Sequence, residues 1–168
     1  MRIKVRDASG DFVANITEFL LDDYLNYYYQ QVMAEGGDNF KGIMGLGERI
    51  MDDLFYKDGV YSMWNRDATT PFDNGKPPGK NVYGTHPFFM FKHKKGSWVG
   101  VFTKLAAAQD WYIKNDSPTG KVDVTMIGAG GLGDIYYIID TTPSGVSAGY
   151  LELVGRPALV PQWALGWH

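Results

Sequence analysis

From Lys121 to Ile127 the chain reads Lys-Val-Asp-Val-Thr-Met-Ile, with Val122, Val124 and Met126 separated by single polar residues. That two-residue period belongs to an extended strand with one apolar face, and it cannot be laid on a helix without scattering the apolar groups. A strand of this kind needs neighbours to cover it, so the stretch commits the chain to a sheet. Other segments read the same way. Arg2–Arg6 alternates charged and apolar residues, Gly59–Asn65 alternates, and Trp98–Thr103, Asp110–Lys114 and Ile135–Ile139 are rich in β-branched and aromatic residues. Phe12–Met33 is ambiguous on its residues: it fits helical spacing only if Asp23 is admitted to the apolar face, and its tyrosines suit strands equally.

The turn residues agree. Gly 21 and Pro 8 among 168 residues, with 15% aromatics, favour a β-rich domain over a helical bundle. The length suits one domain with a real core. The net charge of −3 carries no basic stripe, and Lys92-His93-Lys94-Lys95 reads as a solvated turn between strands, so nucleic acid is not an expected partner. No apolar run approaches the ~20 residues that span a bilayer. The absence of cysteine removes disulfides and thiolate metal sites. Two N-glycosylation sequons, at Asn15 and Asn115, lean toward a secretory, lysosomal or extracellular route.

One helix interrupts the strands. Asp140-Thr141-Thr142-Pro143 is a helix start, Val146, Tyr150, Leu151 and Val154 fall on one face, and Gly155 ends it. Beyond Pro157 and Pro161, Trp163-Ala164-Leu165-Gly166-Trp167 reads as the opening of a further buried strand.

Chemistry-bearing residues are few. Gly128-Ala129-Gly130-Gly131-Leu132-Gly133 fits G-x-G-x-x-G, but strand formers follow it, and Asp134 stands where a phosphate would need helix amides; it is not a dinucleotide site. His86, beside Pro87 in an aromatic run, reads as a buried, hydrogen-bonded core histidine, while His93 sits in the charged turn. Gly42-Ile43-Met44-Gly45-Leu46-Gly47-Glu48-Arg49 reads as a structural turn with an internal ion pair. The long segment after Trp64, running to Asn81, is full of Gly, Pro, Asp and Asn; loops of that length are functional or disordered. Its Arg66-Asp67-Ala68-Thr69-Thr70, between Trp64 and Tyr83, offers the carboxylate, hydroxyls and aromatic faces that hold a neutral sugar. The competing role for Asp67 is to cap its own turn.

Three blocks, in order, carry a resemblance. They are Gly45-Leu46-Gly47-Glu48-Arg49, then Tyr83-Gly84-Thr85-His86-Pro87-Phe88, then Gly130-Gly131, Asp134-Ile135-Tyr136, Gly155-Arg156-Pro157 and Pro161-Gln162-Trp163-Ala164-Leu165-Gly166-Trp167-His168. The chain from Gly42 to His168 resembles the end of the N-terminal β-sandwich of family-31 glycoside hydrolases, the α-glucosidase family. Gly133, Trp167 and Ala68 depart from the residues usual there.

The resemblance implies an all-β, galactose-mutarotase-like sandwich over residues 1–160 with one short helix near the C-terminus. Residues 161–168 would begin the first strand of a (β/α)8 catalytic barrel lying beyond this segment. It further implies a retaining exo-α-glucosidase as the parent activity, with an α-glucoside or oligosaccharide as substrate, Asp67 and Thr69 as substrate contacts, and neither metal nor cofactor. Retaining glycosidases need two carboxyl groups about 5–5.5 Å apart. The family carries both in the barrel, and its W-x-D-M-N nucleophile motif is absent here, so no catalytic residue is assigned to this chain and the segment alone is expected to be inactive. The alternative is a free-standing carbohydrate-binding or structural β-sandwich without catalysis.

Overall fold

The computed structural model describes residues 2–6, 12–21, 27–36, 40–51, 53–65, 81–116, 118–131 and 134–167. Among the described residues, ten strands form two antiparallel sheets. The larger has β1 (Arg2–Arg6), β2 (Phe12–Leu21), β3 (Tyr27–Glu35), β9 (Lys121–Gly128), β8 (Gln109–Asp116) and β5 (Gly59–Met63), in that order across the sheet. The smaller has β10 (Asp134–Asp140), β7 (Trp98–Lys104), β6 (Phe88–Lys92) and β4 (Met44–Gly45). The ambiguous Phe12–Met33 stretch is indeed two strands, paired from Ala14↔Ala34 to Leu21↔Tyr27.

The alternation read over Lys121–Ile127 is the alternation of burial. Val122, Val124 and Met126 are buried, while Asp123, Thr125 and Ile127 are half-buried on the other face. Against them the smaller sheet sends Phe89, Phe91, Val99 and Val101, all fully buried. Trp111 of β8 and Phe89 of β6 meet across the layers edge to face, ring centres 5.9 Å apart, which makes this one core between two sheets. A cross-layer hydrogen bond from Thr103 Oγ1 to Gln30 Oε1 (3.1 Å) satisfies polar atoms in that core.

The smaller sheet is covered on both faces, because α1 (Pro143–Val154) lies on its outer side. Thr142 caps the helix, its Oγ1 accepting the Gly145 amide at 3.0 Å, and Gly155 ends it at φ 91°. Tyr150 stacks on Phe88 at 4.4 Å and meets Phe102 edge-on at 5.1 Å. Val146 is buried over Gly100, where a Cβ would stand 2.5 Å from Val146 Cγ1. Hence β7 carries five consecutive buried residues, Val99–Thr103, in place of an alternation. The rest of the expected helical face is looser: Val154 and Leu153 are exposed.

The glycine-rich segment after β9 leads into β10 of the other sheet, so it crosses between layers and no helix follows it. One local expectation is corrected. Residues 163–167 do not form a strand: Gln162–Leu165 is a turn of 3-10 helix, with the Ala164 amide bonded to Pro161 O at 2.9 Å. No described strand lies alongside to accept a ladder, so the backbone satisfies itself locally. Trp163 (75% exposed), Leu165 (72%) and Trp167 (fully exposed) point outward.

Candidate functional site

The Gly- and Pro-rich stretch that the sequence reads as a loop lies between Asn65 and Asn81, outside the described residues. Asp67 and Thr69, the substrate-contacting residues expected from the sequence, fall in 66–80 and lie outside the described residues. The root of that loop is described, and it is heavily built.

Two of the motif blocks turn out to be one structural unit. Residues 45–49 run antiparallel to 81–88 and extend the β4–β6 pairing beyond regular strand geometry. Leu46 N donates to Phe88 O (2.7 Å), His86 N to Gly47 O (2.7 Å), Glu48 N to Gly84 O (3.0 Å) and Val82 N to Glu48 O (2.9 Å). Arg49 and Asn81 then close the ladder as an isolated bridge. The glycines have a reason to be there: Gly45 has φ 126°, and a Cβ on it would lie 2.4 Å from Phe88 O. Leu46, fully buried, holds φ 47°, a conformation that a non-glycine residue keeps only where its surroundings enforce it. Tyr56 supplies part of that enforcement, its hydroxyl lying 2.6 Å from Gly45 O and 3.2 Å from Leu46 O. Burial pushes the Tyr56 phenol up to about 12.

Glu48 and Arg49 were expected to form an internal ion pair, and they serve different partners. Glu48 is exposed, and its Oε2 accepts the Gly84 amide at 2.9 Å. Arg49 donates from Nε to Leu46 O (3.1 Å) and from Nη2 to Ser62 O (2.5 Å), with its guanidinium 5.5 Å from the Tyr61 ring centre. It thereby joins the end of β5, just before Trp64, to the strap on which Asn81 sits. Desolvation moves the Arg49 guanidinium below its ordinary value, yet such a group stays charged across the working pH range.

Asn81 is the residue that sequence reasoning missed. It is buried, its Oδ1 accepts the Trp64 amide at 3.2 Å, and its Nδ2 donates to Trp64 O and to Val82 O, the latter at 3.3 Å. The two ends of the loop are thus tied by one side chain. On either side of that tie, Trp64 is 62% exposed and Tyr83 59% exposed. Buried roots beneath exposed aromatic rings suit sugar faces.

The histidines are reversed from expectation. His86 is exposed and enters the ladder through its backbone, because the strap carries it along the outer edge of the sandwich. His93 is the buried one: its backbone amide and carbonyl close the β6–β7 turn onto Ser97 and Gly96, and the ring is tucked beneath, accepting the Lys95 amide at Nδ1 (3.4 Å). Among the described residues no cluster of three or more His, Asp or Glu is placed to hold a metal ion, and no helix is long and apolar enough to cross a membrane.

The described residues form an antiparallel two-sheet sandwich with one covering helix. Residues 27–110 match the family described as the glycosyl hydrolase 31 N-terminal galactose mutarotase-like domain. The chain belongs to that family. It is 36% identical over 128 residues to a probable alpha/beta-glucosidase of Arthroderma benhamiae, covering 75% of this chain and 14% of that protein. It is 35% identical over 129 residues to the lysosomal alpha-glucosidase of Mus musculus, covering 75% of this chain and 12% of that protein. Among solved structures, the family 31 alpha-glucosidase from Bacteroides thetaiotaomicron superposes with a TM-score of 0.58 at 26% identity, over 74% of this chain and 19% of that one. The chain therefore spans about one-seventh or less of the length of these two curated relatives.

Proposed function

We propose that this chain is the N-terminal sandwich of an α-glucosidase-like, retaining exo-acting glycoside hydrolase. It holds a substrate-contacting loop over an active site whose catalytic carboxylates reside in a (β/α)8 barrel outside these residues. The observation that carries the reading is the root of the 66–80 loop. Asn81 ties Trp64 to the segment that carries Tyr83, and Arg49 ties the end of β5 at Ser62 to the 45–49 segment, with the rings of Trp64 and Tyr83 exposed on either side. Flanking residues held in this way give a firm base on which a substrate-contacting site could be built. Asp67 would accept hydrogen bonds from sugar hydroxyls and Thr69 would add one more; the alternation of carboxylate, hydroxyl and aromatic face matches a neutral ring. Residues 161–168 would dock against the barrel, consistent with the outward Trp163, Leu165 and Trp167.

The test is made on the complete enzyme and on this chain. Asp67→Ala in the complete enzyme should lower kcat/KM for an α-glucoside by about tenfold or more, the loss expected for a hydrogen bond to a charged acceptor. A change within about twofold removes Asp67 from the site. The 168-residue chain alone should not turn over a chromogenic α-glucoside, and turnover would place the chemistry here after all.

A further inference from the structure

At the opposite end of the sandwich from that loop lies a second feature. β6 begins at Phe88, beside the Gly45–Arg49 strap, and ends at Lys92, where the hairpin turn to β7 begins. Against this turn is a cleft of about 580 Å³, within the range that holds a small oligosaccharide. Lys92, Lys94 and Lys95 come from the turn, Lys41 comes from the segment before β4, and Trp98 and Phe40 supply aromatic walls. No Asp or Glu is among the described residues that line it. The Lys-His-Lys-Lys run, a solvated turn by sequence, is thus met by a fourth lysine, distant in the chain, and by ring faces.

We infer that this cleft is a binding site for a short acidic saccharide, one bearing a sulfate or a uronate carboxylate. Lysines from two distant segments around one hollow favour an anion, the exposed Lys41 and Lys92 foremost since Lys94 is already paired, and Trp98, half-buried on the wall, offers the flat apolar surface that a pyranose ring covers. The cations are lysines without an arginine, so they recognise charge, without the planar fork that selects one oxygen geometry. Glu35 steadies one of them from behind: its carboxylate pairs with Lys94 at 2.8 Å and with Lys121 at 3.7 Å. Lys41 and Lys92 are exposed and available to a ligand.

The charge pattern also limits the ligand's length. A neighbouring hollow of about 390 Å³ shares Phe40, Lys41 and Phe55 with the first but is mixed in charge, with Asp53, Asp58 and Asp116 beside Lys57 and Lys121. A long polyanion would leave the lysine-only lining for one that includes carboxylates, and the chain as a whole carries −3, so a nucleic acid is disfavoured.

The test is calorimetric titration of the 168-residue chain with four probes at matched ionic strength: an unsulfated chondroitin disaccharide, its 6-sulfated form, maltose and inorganic sulfate. Binding of at least one acidic disaccharide about tenfold or more tighter than maltose and sulfate is expected, and the preferred disaccharide tells sulfate from carboxylate recognition. That binding should weaken between 50 and 200 mM salt. Lys41→Ala with Lys92→Ala should reduce it about fivefold or more while leaving the thermal unfolding temperature unchanged, since both side chains are exposed. Equal binding of maltose, equal binding of inorganic sulfate, indifference to the double substitution, or tighter binding of a single-stranded RNA oligonucleotide would each overturn the proposal.

Discussion

Asn81 grips the backbone of Trp64 at both of its polar atoms, accepting from the amide and donating to the carbonyl across seventeen positions of sequence. One buried side chain mimics a strand partner for a residue that has left its sheet. Asn81→Ala would strand the Trp64 amide and carbonyl, and the cost of unmade buried hydrogen bonds is about 2 kcal/mol. Chemical denaturation of the variant should show that loss. Asn81→Asp should be worse at neutral pH, because a carboxylate oxygen would face the carbonyls of Trp64 and Val82. It should recover part of the loss in acid, as protonation restores a donor.

The Tyr56 hydroxyl gives the fold an alkaline limit. Its pKa in the folded chain, raised to about 12 by burial, stands above the ordinary phenol value of 10.0. A raised folded pKa means full stabilisation below the unfolded value and loss as pH climbs through the folded one. Stability should therefore hold to pH 10 and decline from there toward 12. Tyr56→Phe should flatten that part of the pH profile and lower stability at neutral pH by about 1 kcal/mol, through loss of the bonds to Gly45 O and Leu46 O.

Gly100 sets the distance at which the helix sits on the smaller sheet. A methyl group there would approach Val146 Cγ1 to 2.5 Å and the Phe88 ring to 2.8 Å. Gly100→Ala should cost about 1–3 kcal/mol, the penalty of overpacking, measured as a lowered thermal midpoint. The double variant Gly100→Ala, Val146→Ala should recover part of the loss, because it removes the clashing methyl.

The Asn115 sequon is occupied by the fold. Asn115 Nδ2 donates to Tyr56 O (3.1 Å) and to Asp58 Oδ1 (2.9 Å), and its backbone amide donates to the same oxygen at 2.8 Å. These bonds hold the Asp58 carboxyl below the usual carboxylate range. A glycan would replace one of the two Nδ2 hydrogens and so remove at least one of these side-chain bonds, and mass spectrometry of the chain made in a glycosylating host should find Asn115 unmodified. Asn115→Asp should reduce stability by about 1 kcal/mol by setting a carboxylate against Asp58.

Much of this architecture is legible in the sequence. The period-two pattern of Val122, Val124 and Met126, the aromatic run Phe88–Phe91, the Thr142 cap and the Gly155 stop are local signals, each dictated by neighbours within a few residues. The rejection of a dinucleotide site rested on the same kind of evidence, strand formers where a helix was needed. The first two motif blocks lie within residues 27–110, the span that matches the family. What they did not carry was their arrangement. Nothing in Gly45-Leu46-Gly47-Glu48-Arg49 says that it will lie against residues 81–88, or that its charged pair will serve the Gly84 amide and the Leu46 and Ser62 carbonyls. The exchange of His86 and His93 has the same origin, since burial depends on what packs over a side chain. So does the 3-10 turn at Gln162–Leu165, where an apolar run met no described strand to pair with.

By itself, then, the order of residues determined most of the described strands, the helix at Pro143–Val154 and the family, because backbone preference and hydrophobic period act over short range. Only the tertiary structure decided that Asn81 ties down a loop and that lysines from two distant segments share a cleft. Those relationships depend on long-range pairing, in which residues tens of positions apart are brought within hydrogen-bonding and Coulombic reach.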